Sequence, residues 1–260
     1  MGWQEAGQGW GARARDWAYL FEPYARPANE LVFDRLGVGA GTRLLDIACG
    51  SGYAAGVAAS RGAAVTGLDA SEQLLTIARA RTPDGDFRVG DMFALPFDAA
   101  SFDAATSFNG IWKGCETALE EARRVLKPGG LFGMTFWGSP KHLGLLPYFI
   151  KLVELSPPDH SAASLEQGDT GRRGVVEDML AATGFDFVER GVVEVVNEWP
   201  DLGTAVRAMA AAGPSVPAIE NIGYQPFLDA LSEAFGPLHD DRVGLRIRSQ
   251  FGWATARKAT

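Results

Sequence analysis

Through the middle of the chain, short apolar runs alternate with stretches whose apolar residues recur at helical spacing. The apolar runs are bounded by turn-forming residues and predict buried strands at 43–48, 64–69, 86–90, 102–108 and 131–137. The stretches between them predict helices at 53–61, between Ser71 and Pro83, and at 118–126. Strands that alternate with helices indicate an α/β fold, with a mostly parallel sheet and helices on both of its faces.

Three regions fall outside this repeat and predict a helical cap. Two helices joined near Pro23 to Pro27 are expected within 10–38, a loop with one short helix within 138–172, and helices interrupted by Pro214, Pro217 and Pro226 within 201–236. A strand at 243–256 would close the sheet. We expect one domain over 1–260, with a core at about 39–137 and 173–260 and cap elements at about 1–38, 138–172 and 201–236.

Composition narrows the classes of partner. The 260 residues are 47% hydrophobic and 22% charged, as in a globular protein with a sizeable core. The net charge of −8 argues against a nucleic-acid backbone as the partner. Two cysteines without a disulfide pattern suit a reducing cytoplasm, and the first residues do not read as a secretory signal. With no membrane-spanning apolar run and no paired histidine spacing, neither a membrane span nor a metal is expected.

The turn after the first strand carries most of the chemical signal. Gly50 and Gly52 let the backbone approach a ligand closely, and the helix that follows points its free N–H groups at that ligand. With Ala55, these glycines satisfy the loose G-x-G-x-x-A dinucleotide pattern, and Asp69 ends the second strand where an acid would bind a ribose. On these residues alone, an NAD(P)-dependent oxidoreductase is a valid interpretation.

Other positions favour a cationic cofactor. Asp46 is an ionisable residue inside an apolar strand, where it would repel a pyrophosphate but suit an ammonium or a sulfonium. Asp91 and Met92 follow the third strand, where an acid can accept from an adenine amine while its neighbour packs on the ring. The segment 126–130, LKPGG, precedes the fifth strand.

In this order, the segments LLDIACGSG, VTGLDAS, GDMFALPF, FDAATSFN and LKPGG resemble the class I S-adenosylmethionine-dependent methyltransferases. The resemblance covers roughly residues 40–140 and is strongest to the small-molecule branch similar to the quinone-biosynthesis methyltransferases. It implies a Rossmann-like, seven-stranded sheet and S-adenosylmethionine as the cofactor. The chain departs from the family pattern at Ala48, where the usual motif has glycine.

The resemblance also implies contacts for the cofactor. The methionine part would be surrounded by Asp46, Ala48, Gly50 and Gly52, and the ribose diol would be held by Asp69. The adenine would be contacted by Ala70, Asp91 and Met92. The reactive methyl group would lie near Phe108 and Asn109. Arg26, from the cap, is a candidate partner for the methionine carboxylate.

The acceptor is less well defined by the sequence. Many aromatic residues in the cap predict a dry pocket for a small, mostly apolar or aromatic molecule, methylated on O, N or C. His142, near the end of a strand, is the first candidate for a general base, and Tyr148, Asp159, His160 and Glu166 are further options. A non-catalytic methyltransferase-like binding protein is the other alternative, and a homodimer is a candidate assembly.

Overall fold

A computed structural model describes residues 2–158 and 169–259 of the chain. Seven strands form one sheet in the order β3-β2-β1-β4-β5-β7-β6. Strands β1 to β5 pair in parallel, and β7 runs antiparallel to both of its neighbours, β5 and β6. The strands are β1 (Arg43–Ile47), β2 (Ala64–Asp69), β3 (Asp86–Val89), β4 (Phe102–Phe108), β5 (Leu126–Trp137), β6 (Phe185–Trp199) and β7 (Leu245–Lys258). The predicted α/β fold with a mostly parallel seven-stranded sheet is confirmed.

Helices cover both faces of the sheet because its central strands, such as β1 and β4, are buried on both sides. In β1, Leu44 packs with α2 (Arg26–Leu36), α3 (Tyr53–Ser60) and α4 (Glu72–Arg81), whereas Leu45 packs on the opposite face with α5 (Glu116–Val125) and α7 (Val175–Ala182). Both leucines are fully buried, and each burial contributes about 2 kcal/mol to stability. Helix α1 (Trp3–Gly11) precedes these core helices along the chain.

A second hydrophobic cluster lies at the edge of the sheet where β5 and β6 end and β7 begins. It packs α6 (Leu146–Leu155), α8 (Leu202–Ala210), α9 (Val216–Ile222) and α10 (Tyr224–Phe235) against the segment that joins α1 to α2. That segment, called here the N-terminal linker (residues 14–25), contains a π-helical turn at Trp17–Phe21 and a 3₁₀ turn at Glu22–Ala25. None of the helices in the described part of the chain combines the length and hydrophobicity needed to cross a bilayer.

Several elements differ from the sequence-based expectations. Pro217 and Pro226 lie in the first turns of α9 and α10, where a missing N–H costs nothing, so they begin helices instead of interrupting them. β5 begins at Leu126, five residues before the predicted start. β6 was not predicted, because it is an edge strand with a register shift between Phe187 and Glu189 that hides its alternation. The boundaries between core and cap stay a prediction.

Candidate functional site

The turn after β1 is built from left-handed backbone. Ala48, Gly50 and Gly52 have φ angles of 56°, 56° and 70°. A side chain at Gly52 would place its Cβ 2.7 Å from Ala78 Cβ on α4, so the turn fits closely against that helix only without one. Ala48 adopts the same conformation at a cost of about 1 kcal/mol, which explains why the usual motif has glycine at this position.

Asp69 fixes this turn to the end of β2. Its Oδ2 accepts from the Gly50 backbone N–H at 2.8 Å, and its Oδ1 accepts from the Ser71 N–H at 2.9 Å. Burial raises the pKa of Asp69, and these backbone hydrogen bonds oppose the shift. The carboxylate predicted to hold a ribose therefore lies directly beside the glycine turn.

Asp46 is a buried acid whose two carboxylate oxygens differ in their hydrogen bonding. Its Oδ1 accepts from Thr106 Oγ1 at 2.8 Å, whereas its Oδ2 has no hydrogen-bond partner among the described residues. Burial raises the pKa of Asp46 to about 7; the Thr106 hydrogen bond lowers it, and the nearby Glu22 and Asp69 carboxylates raise it. A cation beside Oδ2 would satisfy this oxygen, so the site fits the ammonium or sulfonium of S-adenosylmethionine.

We expect Asp46→Asn to stabilise the cofactor-free protein, and to do so increasingly as the pH rises from about 5 to about 8. The pKa of Asp46 is higher in the folded state than the unfolded value of about 4, so its contribution to stability is full below pH 4 and is lost as the pH rises through 7. Asparagine imitates the protonated acid. The variant should have a higher free energy of unfolding than the wild type, and this difference should grow by about 2 kcal/mol between pH 5 and pH 8. Urea denaturation at each pH measures it. Exposed Asp86→Asn is the control, and a pH-independent difference for Asp46→Asn would contradict the assignment.

The predicted methyl-transfer position lies at the end of β4. Asn109 has a left-handed φ of 56°, and its backbone N–H donates to the Thr135 carbonyl at 3.2 Å. Its side-chain Oδ1 is buried and, within residues 2–158 and 169–259, has no hydrogen-bond partner; the same holds for Ser107 Oγ. Phe108 meets Phe33 edge-on, with ring centroids 5.4 Å apart. Unpartnered buried polar atoms thus gather at the strand ends where a ligand was predicted.

The predicted adenine contacts lie at the ends of β2 and β3. Asp91 Oδ1 accepts from the Phe93 N–H at 2.9 Å, which closes a local turn, and Met92 packs partly buried against the core. Helix α1 covers Ala70 so closely that a Cβ at Gly7 would lie 2.2 Å from the Ala70 carbonyl oxygen. The N-terminal helix therefore forms one wall of this region.

A largely buried cluster, which the sequence pattern does not predict, joins the N-terminal linker to the glycine turn. Glu22 Oε1 accepts from the Ser51 backbone N–H at 3.2 Å, and Glu22 Oε2 accepts from Arg81 Nη1 at 2.9 Å and from Ser51 Oγ. Arg81 also donates to the Ala18 carbonyl at 2.6 Å. Burial raises the pKa of Glu22, and the Ser51 and Arg81 interactions oppose this. Only the tertiary structure brings this cluster together, since Glu22 and Arg81 are 59 positions apart along the chain.

The remaining candidates lie in different surroundings. Arg26 is exposed and pairs with Glu30 at 2.7 Å. His142 is exposed and lines a surface groove of about 290 Å³ with Glu194 and Arg248. Tyr148 is buried, its hydroxyl lies 2.9 Å from Ser215 Oγ, and burial raises its pKa.

The roles of these three residues stay predictions. Asp159, His160 and Glu166, the further options for a general base, lie outside the described residues.

A parallel sheet with a glycine turn after β1 and an acid at the end of β2 is typical of Rossmann-like proteins that bind a cofactor containing a nucleoside. The family model described as a methyltransferase domain matches residues 45–134. The chain belongs to the class I S-adenosylmethionine-dependent methyltransferases. Over 227 residues it is 30% identical to an uncharacterised protein of Mycobacterium tuberculosis, a match that covers 83% of this chain and 80% of that protein.

Other relatives match a shorter part of the chain. A demethylmenaquinone methyltransferase of Renibacterium salmoninarum is 44% identical over 104 residues, so the match spans 39% of this chain and 44% of that enzyme. Among solved structures, the geranyl diphosphate C-methyltransferase of Streptomyces coelicolor, bound to S-adenosyl-L-homocysteine, has a TM-score of 0.53 at 19% identity, covering 90% of this chain and 76% of that one. This structural likeness supports the fold.

Proposed function

We propose that this protein transfers the methyl group of S-adenosylmethionine to a small, mostly apolar or aromatic acceptor. When bound, S-adenosylmethionine would supply an electrophilic methyl group for in-line transfer from its sulfur to the acceptor atom. The protein's task is to align the acceptor and exclude water. The observation that carries this proposal is an aromatic cluster beside the predicted methyl position.

The aromatic cluster consists of rings from the N-terminal linker, the end of β5, the middle of β7, and α6. Trp137 is its centre, with ring centroids 4.7 Å from Phe251 and 5.1 Å from Phe149. Tyr24 stands edge-on to Phe251 at 5.5 Å. Trp137 ends β5, and β5 pairs with β4, which ends at Phe108. An acceptor packed on these rings would therefore lie next to the methyl group.

Two unpartnered polar side chains lie on the sheet below these rings. Asn197 and Ser249 are each 1% exposed, and neither Asn197 side-chain atom nor Ser249 Oγ has a hydrogen-bond partner in the described ranges. Asn197 pairs with Ile247 in the β6–β7 register, which makes Ser249 its diagonal neighbour on the same face. Leaving such groups unpaired is costly, so we propose that they bind a hydroxyl, carbonyl or amine of the acceptor.

For the cofactor, we propose the contacts that the resemblance implies. The hydrogen bond from Gly50 to Asp69 supports a ribose at the end of β2, and the unpartnered Asp46 Oδ2 supports the cationic methionine part nearby. His142 is retained as the proposed general base if the acceptor must lose a proton. Tyr148, whose raised pKa keeps it protonated, is better suited to donating a hydrogen bond.

The test is methyl transfer from S-adenosylmethionine labelled on its methyl group to a panel of hydroquinones, phenols, indoles and aliphatic amines. We expect transfer to an aromatic acceptor, and Trp137→Ala should lower kcat/KM at least about tenfold, because packing on the ring is lost, with an unchanged Kd for S-adenosylhomocysteine. Phe187→Ala, which removes an exposed ring from β6, is the matched control.

Two results would contradict this proposal. Enhanced NADH fluorescence without binding of S-adenosylhomocysteine would favour an oxidoreductase. Retained cofactor affinity with no labelled product across the panel would favour a non-catalytic binding protein.

A further inference from the structure

The glycine turn is surrounded by more negative than positive charge. Glu22, Asp46 and Asp69 are buried carboxylates around it, and Arg81 is the guanidinium that reaches into the same cluster. Asp69 is occupied by two backbone N–H groups, and Glu22 bonds to Ser51 and Arg81. Asp46 Oδ2 is left without a partner in the described part of the chain. An excess of buried negative charge is costly unless a positive charge lies beside it, and a bound ligand can supply that positive charge.

Glu22 and Asp46 flank the turn from two directions. Asp46 lies within β1 before the turn, and Glu22 reaches it from the N-terminal linker, with Oε1 only 2.8 Å from the point where a Gly50 Cβ would stand. The Glu22 charge also raises the pKa of Asp46, which means that the two carboxylates are electrostatically coupled across the turn. A cation between them would relieve this repulsion for both.

The orientation of Glu22 is fixed by the chain itself. Ser51 and Arg81 hold its carboxylate, whose side chain is 13% exposed, and Trp17 Nε1 would lie 3.7 Å from a Gly50 Cβ on the same side of the turn. Carboxylate oxygens can accept more than one hydrogen bond, so these contacts leave capacity for a further donor.

We infer that Glu22 is a cofactor-binding residue: together with Asp46 it binds the methionine ammonium of S-adenosylmethionine. This inference rests on the proposed cofactor site. Its consequence is that the N-terminal linker forms part of the cofactor site, so that closure of the linker over the turn and binding of the amino-acid part of the cofactor stabilise each other.

Two ligands that differ in the amino-acid part test the inference by calorimetry. S-adenosylhomocysteine carries the ammonium, whereas 5′-methylthioadenosine has the same nucleoside and sulfur without the amino-acid group. Glu22→Gln should weaken S-adenosylhomocysteine about tenfold, because a charge-assisted hydrogen bond becomes a neutral one, and should leave 5′-methylthioadenosine within about twofold. Asp46→Asn should show the same selectivity, and Glu198→Gln, an exposed acid on β6, should change neither affinity.

A general loosening of the turn would weaken both ligands equally, and that result would overturn the inference. Unchanged binding, or tighter binding of S-adenosylhomocysteine to Glu22→Gln, would also overturn it; the latter would make Glu22 a competitor of the methionine carboxylate. If Glu22→Gln does not fold, Glu22→Asp, which keeps the charge on a shorter arm, replaces it with the same selectivity expected. A wild-type chain that bound neither ligand would instead overturn the proposed function.

Discussion

Replacing Asp69 with alanine is expected to weaken binding of S-adenosylhomocysteine at least about 100-fold, the largest loss of affinity that we expect from one side chain. The carboxylate accepts from the Gly50 and Ser71 backbone N–H groups, and in the proposed site it also accepts from the ribose diol. Hydrogen bonds to charged groups contribute about 1.5–3 kcal/mol each, and the loss would also free the glycine turn from β2. Titration calorimetry measures the change directly.

Two further variants separate the causes of this loss. Asp69→Asn keeps the shape of the side chain and should lose less affinity than alanine. Asp86→Ala removes an exposed acid from neighbouring β3 and should bind the ligand like the wild type. An unchanged Kd for Asp69→Ala, in a folded sample, would remove Asp69 from the cofactor site.

Replacing Gly52 with alanine should lower the free energy of unfolding by about 3 kcal/mol. The φ angle of 70° costs an alanine about 1 kcal/mol. The new Cβ would lie 2.7 Å from Ala78 Cβ and 3.0 Å from Ala78 Cα, and overpacking of this kind costs about 1–3 kcal/mol. Because the atoms that it meets belong to α4 and its backbone, neither side can yield without separating α3 from α4.

Gly37→Ala is the matched control for this stability prediction. Gly37 has a similar φ of 64°, but a Cβ there would meet nothing within 4 Å. The control should therefore lose only the conformational part, about 1 kcal/mol. Thermal melts of both variants measure the difference, and equal losses would show that close packing of α3 against α4 is not what requires Gly52.

The parallel part of the sheet could be predicted because its central strands are buried on both faces. For that reason β1 and β4 stand out as continuous apolar runs, and the turn residues Gly50 and Gly52 mark where β1 ends. The direct bond between Asp69 and Gly50 follows from the same rule, since parallel neighbouring strands end at the same edge. Local pattern and tertiary position agree in this part of the chain.

Other features depend on contacts between residues that lie far apart along the chain. In β6, the inward positions include Asn197 among apolar residues, and the register shift interrupts the alternation. Glu22 lies in a short polar and aromatic segment and becomes a buried residue only through Ser51 and Arg81. Nothing in its neighbourhood along the chain distinguishes it from a solvent-exposed acid.

The position of β7 has a consequence for the order in which the fold can assemble. β7 is the last strand along the chain, yet it lies between β5 and β6 and provides the neighbour with which β6 pairs. The parallel strands pair segments that lie close together along the chain, whereas β6 stays unpaired until β7 has joined the sheet. Because pairing between β5 and β7 joins segments more than 100 residues apart, such as Leu131 with Arg257, this late step should limit the folding rate. Until it is complete, β6, with its exposed valines, is the part of the nascent domain most open to aggregation.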